Sequence, residues 1–302
     1  MTNAIDTSGL TRRFGRLEAV NGLTLQVPAG SVFAFIGPNG AGKTTTIKLL
    51  MNLVRPTSGR AAILGTDSRR LGARDFQRIG YVSENQRLPD WMTPGELFEY
   101  CRPLYPGWDD GFRQKLQRDL DLDSDAPLRK LSRGMRMKAA LLASLAFRPE
   151  LIVLDEPFTG LDPLVRDELI RALLELPDDS PRTVFISSHD VEEVERLADW
   201  IGFISNGRLL FAEPVATLQS RFRMVEVVSA GDAAPAVPAS STWLPAGSAG
   251  RTARFVDTAH DGADSDRRIA EAFPGAEIRT SAMPLRDIFV ALARSHRTEA
   301  KI

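Results

Sequence analysis

Short apolar runs bounded by turn residues alternate along this chain with segments of helical period. Val32-Phe33-Ala34-Phe35-Ile36 is closed by Gly37-Pro38-Asn39-Gly40, which predicts a buried strand and a turn, with a helix following over residues 43–53. Residues 78–83 read as another strand leading into a loop. Leu151-Ile152-Val153-Leu154 and Thr183-Val184-Phe185-Ile186-Ser187 are too short for helices and suit parallel strands covered on both faces. Between residues 89 and 149 the pattern turns helical. Thr93-Pro94-Gly95-Glu96 is a capping box with proline at the first helical position, and residues 111–120 and 133–147 are further helices. Asp162-Pro163, and Asp190 with Glu193, are helix-start signals just beyond two of the strands. The expectation is an α/β domain interrupted by a helical insert.

Past residue 217 the character changes. Residues 233–250 are rich in Ala, Pro, Ser and Gly and predict a long loop or hairpin connection. Short amphipathic helices over 267–273 and 285–294 flank a strand at 276–280. The expected organisation is therefore a main domain at 1–217, with its helical insert at about 89–149, and a small α+β appendage at 218–302.

Composition narrows the function classes. Among 302 residues the formal net charge is −1, so no global basic field favours nucleic acid. Cys101 is the single cysteine, which excludes a disulfide framework and fits a reducing compartment. The first residues carry no charged start followed by an apolar run, so no secretory leader is expected. The longest apolar stretch, 139–147, is about half of the roughly 20 residues that span a bilayer.

The run Gly37-Pro38-Asn39-Gly40-Ala41-Gly42-Lys43-Thr44 matches G-x-x-x-x-G-K-[ST] without a gap, and Thr45 follows on the first helical turn. Glycines let backbone N–H groups turn inward around phosphate oxygens, and the helix adds its positive N-terminal end. Lys43 would reach the β- and γ-phosphates, and the Thr44 hydroxyl would ligate Mg²⁺. The strand Leu151–Leu154 ends in Asp155-Glu156. Asp155 would hold Mg²⁺ directly or through water, and Glu156 would polarise the water that attacks the γ-phosphate.

With these residues in view, the sequence resembles the ATP-binding cassette (ABC) proteins, a P-loop NTPase family of mixed sheet with a helical subdomain. Leu131-Ser132-Arg133-Gly134-Met135 resembles the family signature, usually Leu-Ser-Gly-Gly-Gln. Gly160-Leu161-Asp162 resembles the D-loop, and Ser187-Ser188-His189-Asp190 the switch-histidine motif. The resemblance implies a head-to-tail dimer, with a second copy or a related cassette, in which Ser132 and Gly134 of one subunit close on nucleotide held by the other. It implies that His189 contacts the γ-phosphate, that Asp162 is among the nucleotide-binding residues, and that Phe14 stacks on adenine.

Three positions depart from the family pattern. Arg133 replaces a glycine and Met135 the glutamine of the signature. After Ile79-Gly80-Tyr81-Val82-Ser83, where the family has a glutamine, this chain has Glu84, with Gln86 two residues on. Either could complete the metal site.

What the resemblance implies is an ATPase that uses ATP and Mg²⁺ and powers a separate polytopic permease, of export type, from the cytoplasmic face of the membrane. Residues 84–91 would meet a helix of the permease, with Trp91 and Met92 as the contacts to mutate. No nucleic acid is expected. The alternative is a soluble cassette acting in translation or DNA transactions, and another is a regulatory cassette that binds ATP but barely turns over.

Overall fold

Five parallel strands bring the chemically marked loops to one sheet edge. In the computed structural model, which describes residues 2–84, 86–123, 125–176 and 182–299, a six-stranded sheet has the order Arg208–Pro214, Trp200–Ser205, Val32–Ile36, Thr183–Ser188, Leu151–Asp155, Ile79–Ser83. The last five run parallel. Asn206 and Gly207, both at positive φ, make the tight turn that returns Arg208–Pro214 against Trp200–Ser205. The apolar runs behave as expected: every residue of Leu151–Asp155 and Thr183–Ser188 is buried. Phe185 stacks on Phe33 and lies tilted against Phe35, with ring centroids 5.7 and 5.4 Å away. That cluster packs the central strands whose ends bear the site.

A second, antiparallel sheet is built on the long strand Asn3–Phe14, which pairs with Leu17–Leu23, Gln26–Pro28 and Ser58–Ile63. Its alternation is broken by polar residues and by register shifts, and the apolar pattern alone did not outline it.

Helices Pro94–Cys101, Asp110–Asp119 and Arg133–Leu145 form the helical part. Thr93 Oγ1 accepts from Glu96 N while Glu96 Oε2 accepts from Thr93 N, the reciprocal pair that the sequence signalled. The helix after the glycine turn is Lys43–Leu50, three residues shorter than expected. Asn52 adopts φ 57°, and the N–H groups of Leu53 and Asn52 donate to Lys48 and Leu49 carbonyls at 2.9 and 3.4 Å. This is a left-handed cap in which asparagine takes the place usual for glycine.

The chain divides into two compact units, one running to Ala212 and the other beginning at Glu213. The second unit holds a four-stranded antiparallel sheet, Trp243–Ala249, Thr252–Asp257, Arg223–Val228 and Glu277–Ala282 in that order, with helices Ala263–Ala272 and Leu285–Glu299. Its core is Val225, Val227, Phe255, Ile269 and Phe273. The Trp243–Ala249 strand lies inside the segment expected as loop or hairpin. Pro245 and Gly247 sit at a bulge on this edge strand, the position where such residues are tolerated.

Candidate nucleotide-binding site

The turn between Ile36 and the Lys43 helix carries the first set of groups. Gly42 precedes the helix at φ 109°, and a Cβ there would lie 2.3 Å from the Ala19 carbonyl oxygen, so only glycine fits. With no side chain at this cap, the first N–H groups of the helix, from Lys43 on, have no intrahelical partner and face outward. An anion is the natural complement of that helix end.

Lys43 Nζ donates to the carbonyls of Gly37 (2.6 Å) and Pro38 (3.2 Å), and forms a salt bridge with Glu156 Oε1 at 3.1 Å. Thr44 Oγ1 and Ser187 Oγ both donate to Asp155 Oδ1, at 3.0 and 2.9 Å. Burial pushes the Asp155 carboxyl up, against those two hydrogen bonds, which favour its charged form. A hydroxyl and a carboxylate oxygen in contact are a donor set suited to a hard divalent cation.

Glu156 is held from four sides. Its N–H donates to Ser187 Oγ (3.0 Å), Oε1 meets Lys43, and Oε2 accepts from Thr159 Oγ1 (3.0 Å) and lies 2.7 Å from His189 Nδ1. Its backbone sits at φ 53°, a strained region for a residue with a side chain. Burial raises its carboxyl, but the His189 hydrogen bond and the Lys43 charge outweigh that and hold it below the ordinary glutamate range. Glu156 is therefore ionised at neutral pH and placed to accept a proton.

A cavity of about 710 Å³ opens over these groups, a volume suited to a nucleotide-sized ligand. Asn39, Gly40, Ala41, Gly42, Lys43, Thr44, Thr45, Glu84, Glu156 and His189 line it, with Phe14 at one end. Phe14 is 46% exposed, and the Arg12 guanidinium lies 4.4 Å from its ring centroid. Gly37 and Pro38 stand behind the lining as acceptors for Lys43. Of the two candidates after Ser83, Glu84 lines the cavity. The Gln86 side chain instead accepts from Ser83 N.

Asp155 also stands behind the lining, reached through Thr44, while Ser132, Gly134 and Asp162 make none of the contacts of this site. Ser132 Oγ accepts from Met135 N and caps the Arg133–Leu145 helix. Gly134 packs against Val165. Asp162 Oδ1 accepts from Val165 N and caps Pro163–Leu174. Within one chain these three act as structural caps and contacts.

Sequence reasoning passed over Ser187, Thr159 and Leu17 as individual site residues. Ser187 lies within the switch-histidine motif and Thr159 directly precedes Gly160-Leu161-Asp162, and their polarity beside a buried acidic pair was the available signal. Leu17 was invisible because its place in the lining follows from pairing with Phe14 across a hairpin. Trp91 is 64% exposed, whereas Met92 is buried and its carbonyl accepts from Leu128 N, so Met92 belongs to the core and not to a docking surface.

Residues 20–159 match the family model described as ABC transporter. An ABC transporter ATP-binding protein of Nostoc sp. is 38% identical over 203 residues, covering 65% of this chain and 59% of its own length. The chain thus spans about three-fifths of that relative. The bacitracin transport ATP-binding protein BcrA of Bacillus licheniformis is 34% identical, covering 74% of each chain. The daunorubicin/doxorubicin resistance ATP-binding protein DrrA of Streptomyces peucetius is 35% identical, covering 72% of this chain and 68% of its own. A solved ATP-binding subunit of an ABC transporter superposes with a TM-score of 0.65 at 25% identity, over 72% of this chain and 92% of that one.

Proposed function

This chain belongs to the ATP-binding proteins of ABC transporters, and on that premise we propose that it hydrolyses ATP to drive a separate membrane-spanning permease of export type. The observation that carries the hydrolytic reading is Glu156, ionised, strained and pinned between Lys43 and His189 beside the phosphate loop.

In this reading the helix N-terminus and Lys43 hold the β- and γ-phosphates, and Phe14 offers a flat face to adenine. Thr44 and Asp155, with Glu84 beside them, are the residues that would hold Mg²⁺, whose charge would offset that of the phosphates. Glu156 takes a proton from the attacking water as its oxygen bonds to the γ-phosphorus and the bond to the β-phosphate oxygen breaks, releasing ADP. His189 keeps the Glu156 carboxylate in place and meets the γ-phosphate. Ser132, Gly134 and Asp162 face a second cassette, this chain or a related one, and complete the site on dimer closure.

Among the described residues no helix is long and apolar enough to cross a membrane. The permease would therefore supply the spans, with this chain at its cytoplasmic face and exposed Trp91 at the contact. Export is favoured by the named transport and resistance roles of BcrA and DrrA, and by a Nod factor export ATP-binding protein of Ralstonia nicotianae at 36% identity. A sulfate/thiosulfate import ATP-binding protein of Yersinia pestis is 33% identical as well.

The test is to tag the chain, solubilise membranes gently, identify what co-purifies and measure phosphate release from ATP. A polytopic membrane protein that comes down with it and alters turnover supports the proposal. Ribosomal or nucleic-acid partners alone would replace it with a soluble cassette role, and no phosphate release would remove the hydrolytic reading.

A further inference from the structure

Two of the positions that depart from the family pattern touch each other. Arg133 Nη2 donates to Glu84 Oε1 at 2.8 Å. Arg133 is the first residue of the Arg133–Leu145 helix, where a cation is disfavoured by the helix dipole. Glu84 lines the phosphate cavity, where a carboxylate repels an anionic ligand. Each charge is costly for its own element, and the ion pair offsets both. The backbone fixes the carboxylate end independently of the pair. Glu84 N donates to Asp155 O at 2.8 Å, which ties the carboxylate to the strand end that carries the acidic pair.

The guanidinium is also held from a third side. It lies against Gly160, where an added Cβ would come 2.9 Å from Arg133 Nη1 and 3.2 Å from Cζ, and where φ is +70°. Any side chain at 160 would displace the arginine. Arg133 thus bridges the loop after Ile79–Ser83, the loop after Leu151–Asp155 and the start of its own helix.

We propose that Arg133 is a positioning residue for the nucleotide site: it neutralises Glu84 and holds its carboxylate so that the cavity accepts an anionic phosphate chain despite an acidic residue in its lining. This rests on the reading of the cavity as an ATP site. Arg133 touches no reacting atom in it, and acts through Glu84.

The experiment measures ATP affinity of the full chain by displacement of trinitrophenyl-ATP, in EDTA and again with Mg²⁺, for the unaltered protein, Arg133→Gln, Glu84→Gln, the double variant and Arg133→Lys. Arg133→Gln is expected to weaken binding in EDTA about fivefold to tenfold, because it uncovers the carboxylate. The double variant should return to within about twofold of Glu84→Gln, and Arg133→Lys should keep most of the affinity. The deficit of Arg133→Gln should shrink in 0.5 M salt, which a fold defect would not do. Equal losses in Arg133→Gln and the double variant, or a deficit insensitive to salt, would overturn the proposal while leaving the ATP site intact. Absence of ATP binding by the unaltered chain would overturn the ATP reading itself and this proposal with it.

Discussion

Lys43 and Glu156 are paired as a buried ion pair in the site, Nζ to Oε1 at 3.1 Å, with their side chains 5% and 9% exposed. The lysine proposed for phosphate is thus already engaged by the residue proposed as base. ATP must draw Lys43 toward its phosphates and away from this partner, so part of the binding energy goes to loosening the pair. Glu156 also places a negative charge in the wall of an anion site.

Glu156→Gln should therefore separate binding from chemistry. The amide keeps the shape and the hydrogen bond to Thr159 but releases Lys43 and removes the charge. ATP should bind about threefold to tenfold more tightly, while steady-state phosphate release falls at least about 100-fold, the usual scale for losing a general base. Displacement titration and a phosphate assay read the two effects. Weaker binding in the variant would show that the pair does not compete with phosphate.

The 2.7 Å contact of His189 Nδ1 with Glu156 Oε2 predicts a shift in pH dependence. Burial raises the Glu156 carboxyl, and the histidine contact with the Lys43 charge brings it below its ordinary value. As a depressed carboxyl, it stays ionised down to a pH below that value, and the base is lost only as pH falls further. His189→Ala removes one of the lowering contacts, so the acid limb of the pH–rate profile should move to higher pH. Turnover at neutral pH should drop on the order of 100-fold if His189 also contacts phosphate. An acid limb that stays in place would mean the contact does not tune the base.

Ser187 links the two carboxylate residues: its Oγ donates to Asp155 Oδ1 at 2.9 Å and accepts from Glu156 N at 3.0 Å. Ser187→Ala leaves a buried N–H without its acceptor, a loss of about 1–3 kcal/mol. Because Glu156 already sits at φ 53°, the N–H bond is one of the few contacts that hold that backbone. Turnover should fall about tenfold or more, with a lowered thermal midpoint. Cysteine at this position should recover little, since a thiol is a weak donor and acceptor.

Much of this site was legible because its chemistry is local in sequence. The run from Gly37 to Thr44 needs its glycines and lysine in a fixed order, and Leu151 to Glu156 encodes both a buried strand and what stands at its end. The long strand Asn3–Phe14 was less legible, since polar residues and register shifts blur its alternation. The choice between Glu84 and Gln86 could not be made from the chain alone. It turns on two contacts that no motif announces, one distant and one local: Arg133 meets Glu84 across 49 positions, and Gln86 folds back on Ser83. Met92 was misread as well: it is buried, and its carbonyl accepts from Leu128 N, a contact across 36 positions that no local pattern announces.

The strands that bear Glu84 and Asp155 are also joined at their opposite ends, which separates stability from catalysis. Arg78 binds Glu150 in a fork, Nε to Oε1 at 2.6 Å and Nη2 to Oε2 at 2.7 Å, while Glu150 N donates to Arg78 O. The Arg78 hydrogen bonds hold the Glu150 carboxyl below its ordinary 4.5, against a smaller upward push from burial. For a depressed carboxyl the stabilisation is complete above the unfolded value and is lost as pH falls through the lower folded one. Both side chains are about half exposed, 44% and 54%, so solvent screening limits the pair to about 1 kcal/mol despite its geometry. Glu150→Gln should lower the melting temperature by about 2–4 °C at pH 7. The difference from the unaltered chain should shrink as pH falls below 4.5, and be smaller in 0.5 M salt than in dilute buffer. Nucleotide affinity should stay within about twofold, because the pair lies at the far end of both strands from the phosphate loop. A melting difference that persists undiminished at low pH would mean that the pair acts through packing, and that its charge contributes nothing to joining the strands.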